Sequence, residues 1–157
     1  MDQAQAPTIN LMATKIRPAS MDDVSAIVEI EEVTNKIPWT KTQFISSMEI
    51  GHYSTVLLKE KEIIGFAIYS PIVPESHLLN IAIDPRHQGK GLGKKLLQQV
   101  IYQNKIIGVK VISLEVRVSN QIAINLYEKG GFIKDAIRPD YYSGPPKEDA
   151  LLMSLKI

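Results

Sequence analysis

Cysteine is absent from the 157 residues. That excludes disulfides, thiolate metal ligation and a cysteine nucleophile together. The three histidines, His52, His77 and His87, stand far apart, so no metal site and no Ser-His-Asp arrangement is expected. No apolar run approaches the roughly 20 residues that a spanning helix needs, which removes the membrane as a partner. Neither sign of charge dominates: 18 Lys and Arg against 17 Asp and Glu leave a net charge of +1. A broadly basic nucleic-acid surface is therefore not expected. Met1 to Thr14 lacks a basic start followed by an apolar core, so it is not an export signal, and a cytoplasmic location is expected. Residues 1–14 read as a flexible tail, and residues 15–157 as a single domain with enough length to bury a sizeable core.

What the chain does have is an α/β alternation. Lys15–Arg17 reads as a short strand ended by Pro18. Ser20, with Asp22 and Asp23, caps a helix whose apolar face is Val24, Ile27, Val28 and Val33. Pro38-Trp39 breaks that pattern, and Thr40 caps a second helix running to about Met48. Tyr53–Leu58 and Ile63–Tyr69 read as an antiparallel pair around a tight polar turn. Pro71 and Pro74 mark a connection to a fourth strand, His77–Ile83. A long helix then ends near Gly108, and Val111–Val118 is a fifth strand. Ser119-Asn120 caps another helix that Gly130-Gly131 stops. Phe132–Ile137 and Ala150–Leu155 close the sheet.

Between the fourth strand and the long helix lies Asp84-Pro85-Arg86-His87-Gln88-Gly89-Lys90-Gly91-Leu92-Gly93-Lys94-Lys95. A strand, a glycine-rich turn and a helix start aim backbone N–H groups at a phosphate, and the helix dipole favours its charge. Lys90, Lys94 and Lys95 add positive charge. The spacing is not that of a P-loop, because Gly89 and Gly93 are too close and no Ser or Thr follows Lys94. It is not that of a dinucleotide fingerprint either, since Lys94 stands where the third glycine belongs.

Gln88-x-x-Gly91-x-Gly93 resembles the pyrophosphate loop Q/R-x-x-G-x-G/A of the GCN5-related N-acetyltransferases. The order of elements resembles that family over essentially the whole chain after the tail. Leu114-Glu115-Val116-Arg117-Val118-Ser119-Asn120, Leu126-Tyr127-Glu128, Asn80 to Pro85, Pro38-Trp39 and Tyr141-Tyr142 resemble its RimI-type branch. That branch acetylates the N-terminal alanine of a small-subunit ribosomal protein. The resemblance implies a mixed α/β fold: a mostly antiparallel central sheet splayed between strands four and five, with helices on both faces. It implies acetyl-CoA as co-substrate and no metal.

Acetyl transfer needs a neutral amine, a polarised carbonyl and a proton for the departing thiolate. Glu115, a carboxylate between apolar Leu114 and Val116, is the candidate base. The alternative is a solvent-facing residue paired with Arg117 or Lys110, and His77 is an alternative base. Tyr127 lies seven positions after Asn120, about 10 Å along the same side of a helix, which suits the thiol end of a coenzyme that Asn120 meets, and the resemblance implies that it protonates the departing sulfur. The alternative is a core aromatic. The resemblance assigns carbonyl polarisation to the backbone at Ile81, Ala82 and Ile83, and coenzyme binding to Gly89, Lys90, Gly91, Leu92, Gly93, Lys94 and Asn120. For Gln88 the alternative to touching ligand is bracing the turn, and Asn120 can cap its helix as well as bind.

Trp39, Tyr141 and Tyr142, the last two in a turn-rich loop, are expected to wall an extended peptide N-terminus; ordinary packing is the alternative. Asp140, Glu148 and Asp149 are expected to attract a basic peptide. The resulting expectation is a protein N-terminal acetyltransferase acting on a ribosomal protein. A small-amine acetyltransferase and a non-catalytic acyl-CoA-binding module are the alternatives, and the oligomeric state is left open.

Overall fold

A computed structural model describes residues 13–157. Its strands are β1 (Thr14–Pro18), β2 (Tyr53–Lys59), β3 (Glu62–Ile72), β4 (Glu75–Ile83), β5 (Val111–Arg117), β6 (Ile133–Tyr142) and β7 (Glu148–Lys156). Its helices are α1 (Val24–Thr34), α2 (Lys41–Glu49), α3 (Leu92–Ile106) and α4 (Gln121–Lys129). All seven strands form one sheet in the order β1-β2-β3-β4-β5-β7-β6. Only β4 and β5 run parallel.

The parallel pairing is brief. It joins Glu75 to Val111, Ser76 to Ile112 and His77 to Ser113, and then the strands part. Two constraints pull them apart. β5 stays paired with β7 along its whole length, from Val111 to Arg117. β4 stays paired with β3 to Ile83 but slips register by one residue, so Leu79 bulges between Leu78 and Asn80. A bulge bends its strand and raises the local twist. The expected splay is therefore present, and it opens beside His77.

Each face of the sheet carries its own core. Leu92, Leu96, Leu97 and Val100 of α3 and Ile124 and Tyr127 of α4 pack with Ile64, Ala67, Ile112 and Leu114 on one side. Val24, Ile27 and Ile30 of α1 and Phe44 of α2 pack with Val56, Phe66 and Ile68 on the other. Alternation along β2 sends Val56 and Leu57 to opposite cores, as the strand period requires.

Several expected boundaries move. β1 begins at Thr14, which the expected tail included, and residues 1–12 lie outside the described residues. Ser20 opens a 3-10 turn over Met21–Asp23 before α1. Asp23 accepts the Ser20 N–H at 2.8 Å and pairs with Arg17, which holds its carboxyl below the usual range. Val33 is exposed, because 3.6 residues per turn put it on the side opposite Val24. Val28 does pack against the core. Pro71 stands inside β3 rather than in a connection. β3 has no β2 neighbour beyond Tyr69, and a strand margin tolerates proline. β6 runs on through Pro139 to Tyr142, so Tyr141 and Tyr142 end a strand rather than occupy a loop. β6 is an edge strand whose register skips between Arg138 and Tyr142, with Asp140 at φ 51, and that irregularity absorbs the proline.

Candidate active site

The end of β4 and the start of α3 build the expected phosphate cradle. Gln88 Nε2 donates to the Ile83 carbonyl at 3.0 Å, so this side chain braces the turn. Gly89 and Gly91 have φ of +77 and +78, a backbone that side chains resist. A Cβ built at either meets nothing within 4 Å, so the space in front of them is open. Gly91 is the N-cap of α3 and supplies no side-chain cap. The first N–H groups of a helix have no partner within it, which leaves those of Leu92, Gly93 and Lys94 for an anion. Lys90 and Lys94 are exposed beside them. Lys95 is engaged elsewhere, bonded to the Thr14 side chain on β1. A Cβ at Gly93 would meet Leu126 at 3.5 Å, ordinary contact, so alanine fits there as the motif allows. These residues fit the pyrophosphate of acetyl-CoA.

Ile81, Ala82 and Ile83 pair with Ala67, Phe66 and Gly65 of β3 and have no β5 partner on their other side. Backbone groups on that side face the opening. The sheet is tightly packed behind them: a Cβ at Gly65 would come within 2.6 Å of Ile83 Cδ1.

Across the opening, Glu115 on β5 is half-buried and bonded to His77 of β4, with 2.8 Å between Oε1 and Nε2. Ser113, the register partner of His77, lies two residues before Glu115, so the two side chains share a face. The Tyr141 hydroxyl lies 3.4 Å from the same oxygen. The expected partners of Glu115, Arg117 and Lys110, are not the ones it takes. Bonding to His77 holds the Glu115 carboxyl below its ordinary range, against the opposing effect of burial, with Tyr141 and Arg138 helping. The same bond raises His77 above its ordinary value. His77, weighed only as an alternative base from the sequence, is thus part of a pair that spans the splay.

Tyr127 is buried in the α3–α4 core, its ring 5.8 Å from Phe132. Burial raises its hydroxyl above the ordinary value, which keeps it protonated. Asn120 caps α4, its Oδ1 accepting from Ala123 N at 3.2 Å, which leaves its amide nitrogen for a ligand.

Trp39 is half-buried, with its ring 5.1 Å from Phe44. Tyr141 and Tyr142 meet edge to face at 5.0 Å. Arg138 lies over the first ring at 4.9 Å and Arg117 over the second at 4.2 Å. Burial pushes the Tyr142 hydroxyl up to about 12. The acidic trio expected to draw a basic peptide is largely engaged within the protein. Glu148 accepts from Ser119 N at 2.9 Å and Arg117 at 3.1 Å and lies 3.8 Å from Lys36. Those contacts, Ser119 first, hold it down at about 2. Asp149 accepts the Asp140 N–H at 2.8 Å.

A polar cluster escaped the sequence reading. Glu31 of α1 is fully buried and accepts from Asn80, Trp39 N and Asn35, each at 3.0 Å. Its signal was positional: Glu31 is seven residues after Val24, on the buried face of the helix.

Residues 24–132 match the model of the acetyltransferase (GNAT) family. The [ribosomal protein bS18]-alanine N-acetyltransferase of Escherichia coli K12 is 38% identical over 136 residues, spanning 86% of this chain and 92% of that one. The crystal structure of the ribosomal-protein-S18-alanine N-acetyltransferase from Escherichia coli superposes with a TM-score of 0.85 at 36% identity, covering 92% of this chain and 94% of that one. The structure of yncA from Salmonella typhimurium with acetyl-CoA shares the fold, with a TM-score of 0.75 at 24% identity over 92% of this chain and 94% of that one. The family model overlies the glycine turn, the splayed strand pair and α4 alike, and the chain belongs to the acetyltransferase (GNAT) family.

Proposed function

We propose that the protein transfers acetyl from acetyl-CoA to the N-terminal α-amino group of a protein, namely the N-terminal alanine of a small-subunit ribosomal protein. The observation that carries this reading is the placement of the Glu115–His77 pair at the mouth of the splay, with His77 on the same strand, β4, whose far end leads into the glycine cradle. The similarity to bS18-alanine acetyltransferases over most of both chains supports the choice of acceptor.

Acetyl-CoA supplies the acyl group as a thioester. The cradle of Gly89 to Lys94 takes its pyrophosphate, and the Asn120 amide takes another polar part of it. An α-amino group has a pKa of about 7.7–8.0, so most of it arrives as ammonium at pH 7. The Glu115 carboxyl, held below the carboxylate range chiefly by His77, is by itself a weak acceptor for that proton. Paired with His77 it gains a partner whose own affinity is raised, and the proton is shared between them. The freed amine attacks the acetyl carbonyl, forming a C–N bond. Backbone N–H groups of Ile81 to Ile83 stabilise the charge that gathers on the carbonyl oxygen. As the C–S bond breaks, Tyr127, kept protonated by burial, gives its proton to the sulfur and is reprotonated by the proton that the newly bonded nitrogen releases as it becomes the amide. Trp39, Tyr141 and Tyr142 wall the approaching peptide.

Purified protein incubated with acetyl-CoA and a set of peptides differing in their first residue, read by mass, tests this reading. A gain of one acetyl group on alanine-initiated peptides, and none on their N-terminally blocked versions, is expected. Polyamines and aminoglycosides serve as the small-amine arm. Acetylation of those alone would overturn the choice of acceptor, and no transfer to any amine would favour a binding module.

A further inference from the structure

The Glu31 carboxylate presents a physical problem. It is fully buried, and no Lys, Arg or His among the described residues forms an ion pair with it. A charge at that depth is costly unless hydrogen bonds replace its water. Its neighbours on the same helix face, Val24 and Ile27, do the apolar packing that holds α1 to the sheet. Helix docking therefore does not call for a carboxylate at this position.

Its hydrogen bonds say what does. Oε2 accepts from the backbone N–H of Trp39 and from Asn35 Nδ2, and Oε1 accepts from Asn80 Nδ2. Asn35 and Trp39 belong to the segment between α1 and α2. Asn80 follows the β4 bulge and immediately precedes Ile81–Ile83. One carboxylate thus joins the segment that carries Trp39 to the strand that lines the splay. The outer side of the same segment is tied more loosely, by Lys36 to Glu148 at the start of β7 at 3.8 Å.

We infer that Glu31 is a positioning residue for the acceptor peptide: it clamps the Trp39 segment to β4 at Asn80, and so sets the width of the seat that receives the N-terminus. The inference rests on the protein-acceptor reading above. Glu31 touches neither substrate. It acts through the Trp39 backbone, so its loss falls on peptide binding more than on acetyl-CoA binding or on turnover.

An exchange of partners tests it. Asn80→Asp sets two carboxylates face to face and breaks the clamp. Adding Glu31→Gln rebuilds it, since the new amide donates to the new carboxylate while its oxygen still accepts from Trp39 and Asn35. The single variant is expected to raise the peptide KM by about tenfold, the scale of one lost charge-assisted hydrogen bond. Its kcat and acetyl-CoA KM should stay within about threefold, a small effect beside a tenfold step of binding. The double variant should recover the peptide KM. Trp39 is the sole tryptophan, so its emission reports on the clamped segment directly. A red shift is expected in Asn80→Asp, with reversal in the double variant. Should Asn80→Asp fail to fold, Glu31→Met, which fills the volume without accepting a hydrogen bond, takes its place with the same expected KM and emission changes.

An unchanged peptide KM in the single variant, a double variant no better than the single, or equal damage to acetyl-CoA KM and peptide KM would overturn the clamp. If the wild-type protein acetylates no peptide at all, the acceptor reading is what fails. The emission measurement then still reports whether Glu31 holds the segment.

Discussion

His77 Nε2 and Glu115 Oε1 lie 2.8 Å apart although the residues are 38 positions apart in sequence. The contact bridges two parallel strands at the last rung before they separate. Each partner changes the other: the carboxyl goes down and the imidazole goes up.

This coupling sets the pH dependence of turnover. His77 is raised above 6.5 by Glu115, so the pair can accept a proton only above that pH. The acid limb of kcat should therefore lie above 6.5 in the wild-type protein. Glu115 is the charged group that acts on His77, and Tyr141 and Arg138 act in turn on Glu115. In His77→Ala the carboxyl loses its main depressing partner but remains a carboxylate, and the limb should move to distinctly lower pH. A pH profile of kcat with saturating substrates decides this. An acid limb that stays in place would remove His77 from the proton path.

Glu115→Gln should lower kcat by about 10² to 10⁴, the usual contribution of a general base. It keeps the shape and one hydrogen bond to His77 or Tyr141, so the acetyl-CoA Kd, measured by calorimetry, should remain near the wild-type value. Wild-type turnover in this variant would dismiss Glu115 as the base.

The two kinds of glycine in the turn before α3 should separate cleanly. Gly91→Ala forces a side chain into φ +78, which costs on the order of 1–2 kcal/mol, and it intrudes on the open cradle. Acetyl-CoA affinity should fall by about tenfold or more, since 1.4 kcal/mol is a factor of ten. Gly93→Ala places its Cβ at 3.5 Å from Leu126, an ordinary contact, and should bind acetyl-CoA much as the wild type does. Equal affinity in both variants would place the phosphates elsewhere.

Initial-rate kinetics should give intersecting double-reciprocal lines. The chain has no cysteine to hold an acetyl group, and the amine can attack directly while both substrates are bound. Parallel lines would indicate a covalent relay.

The parts of the site that are local in sequence were open to reading from it. Gly89, Gly91 and Gly93 ahead of Leu92 announce a strand, a turn and a helix start, because backbone freedom and helix termini are properties of a few adjacent residues. Asn120 as a cap and the Thr40–Gln43 capping box that starts α2 are legible for the same reason. Pro71 misled, since whether proline ends a strand depends on which neighbours the strand has, and strand order is not written locally.

By itself the sequence determined the alternation of elements, the glycine cradle and the candidacy of Glu115 and Tyr127. The first two follow from residue type and short spacing, and the candidacies draw on the family resemblance as well. The tertiary structure alone decided what Glu115 is bonded to, that Glu148 is already answered by Ser119 and Arg117, and that Glu31 holds Asn80 and Trp39 together. Those are contacts across a sheet or between a helix and a strand. Such contacts are set by register, by the β4 bulge and by which face each residue turns to a core, and no stretch of neighbouring residues encodes them.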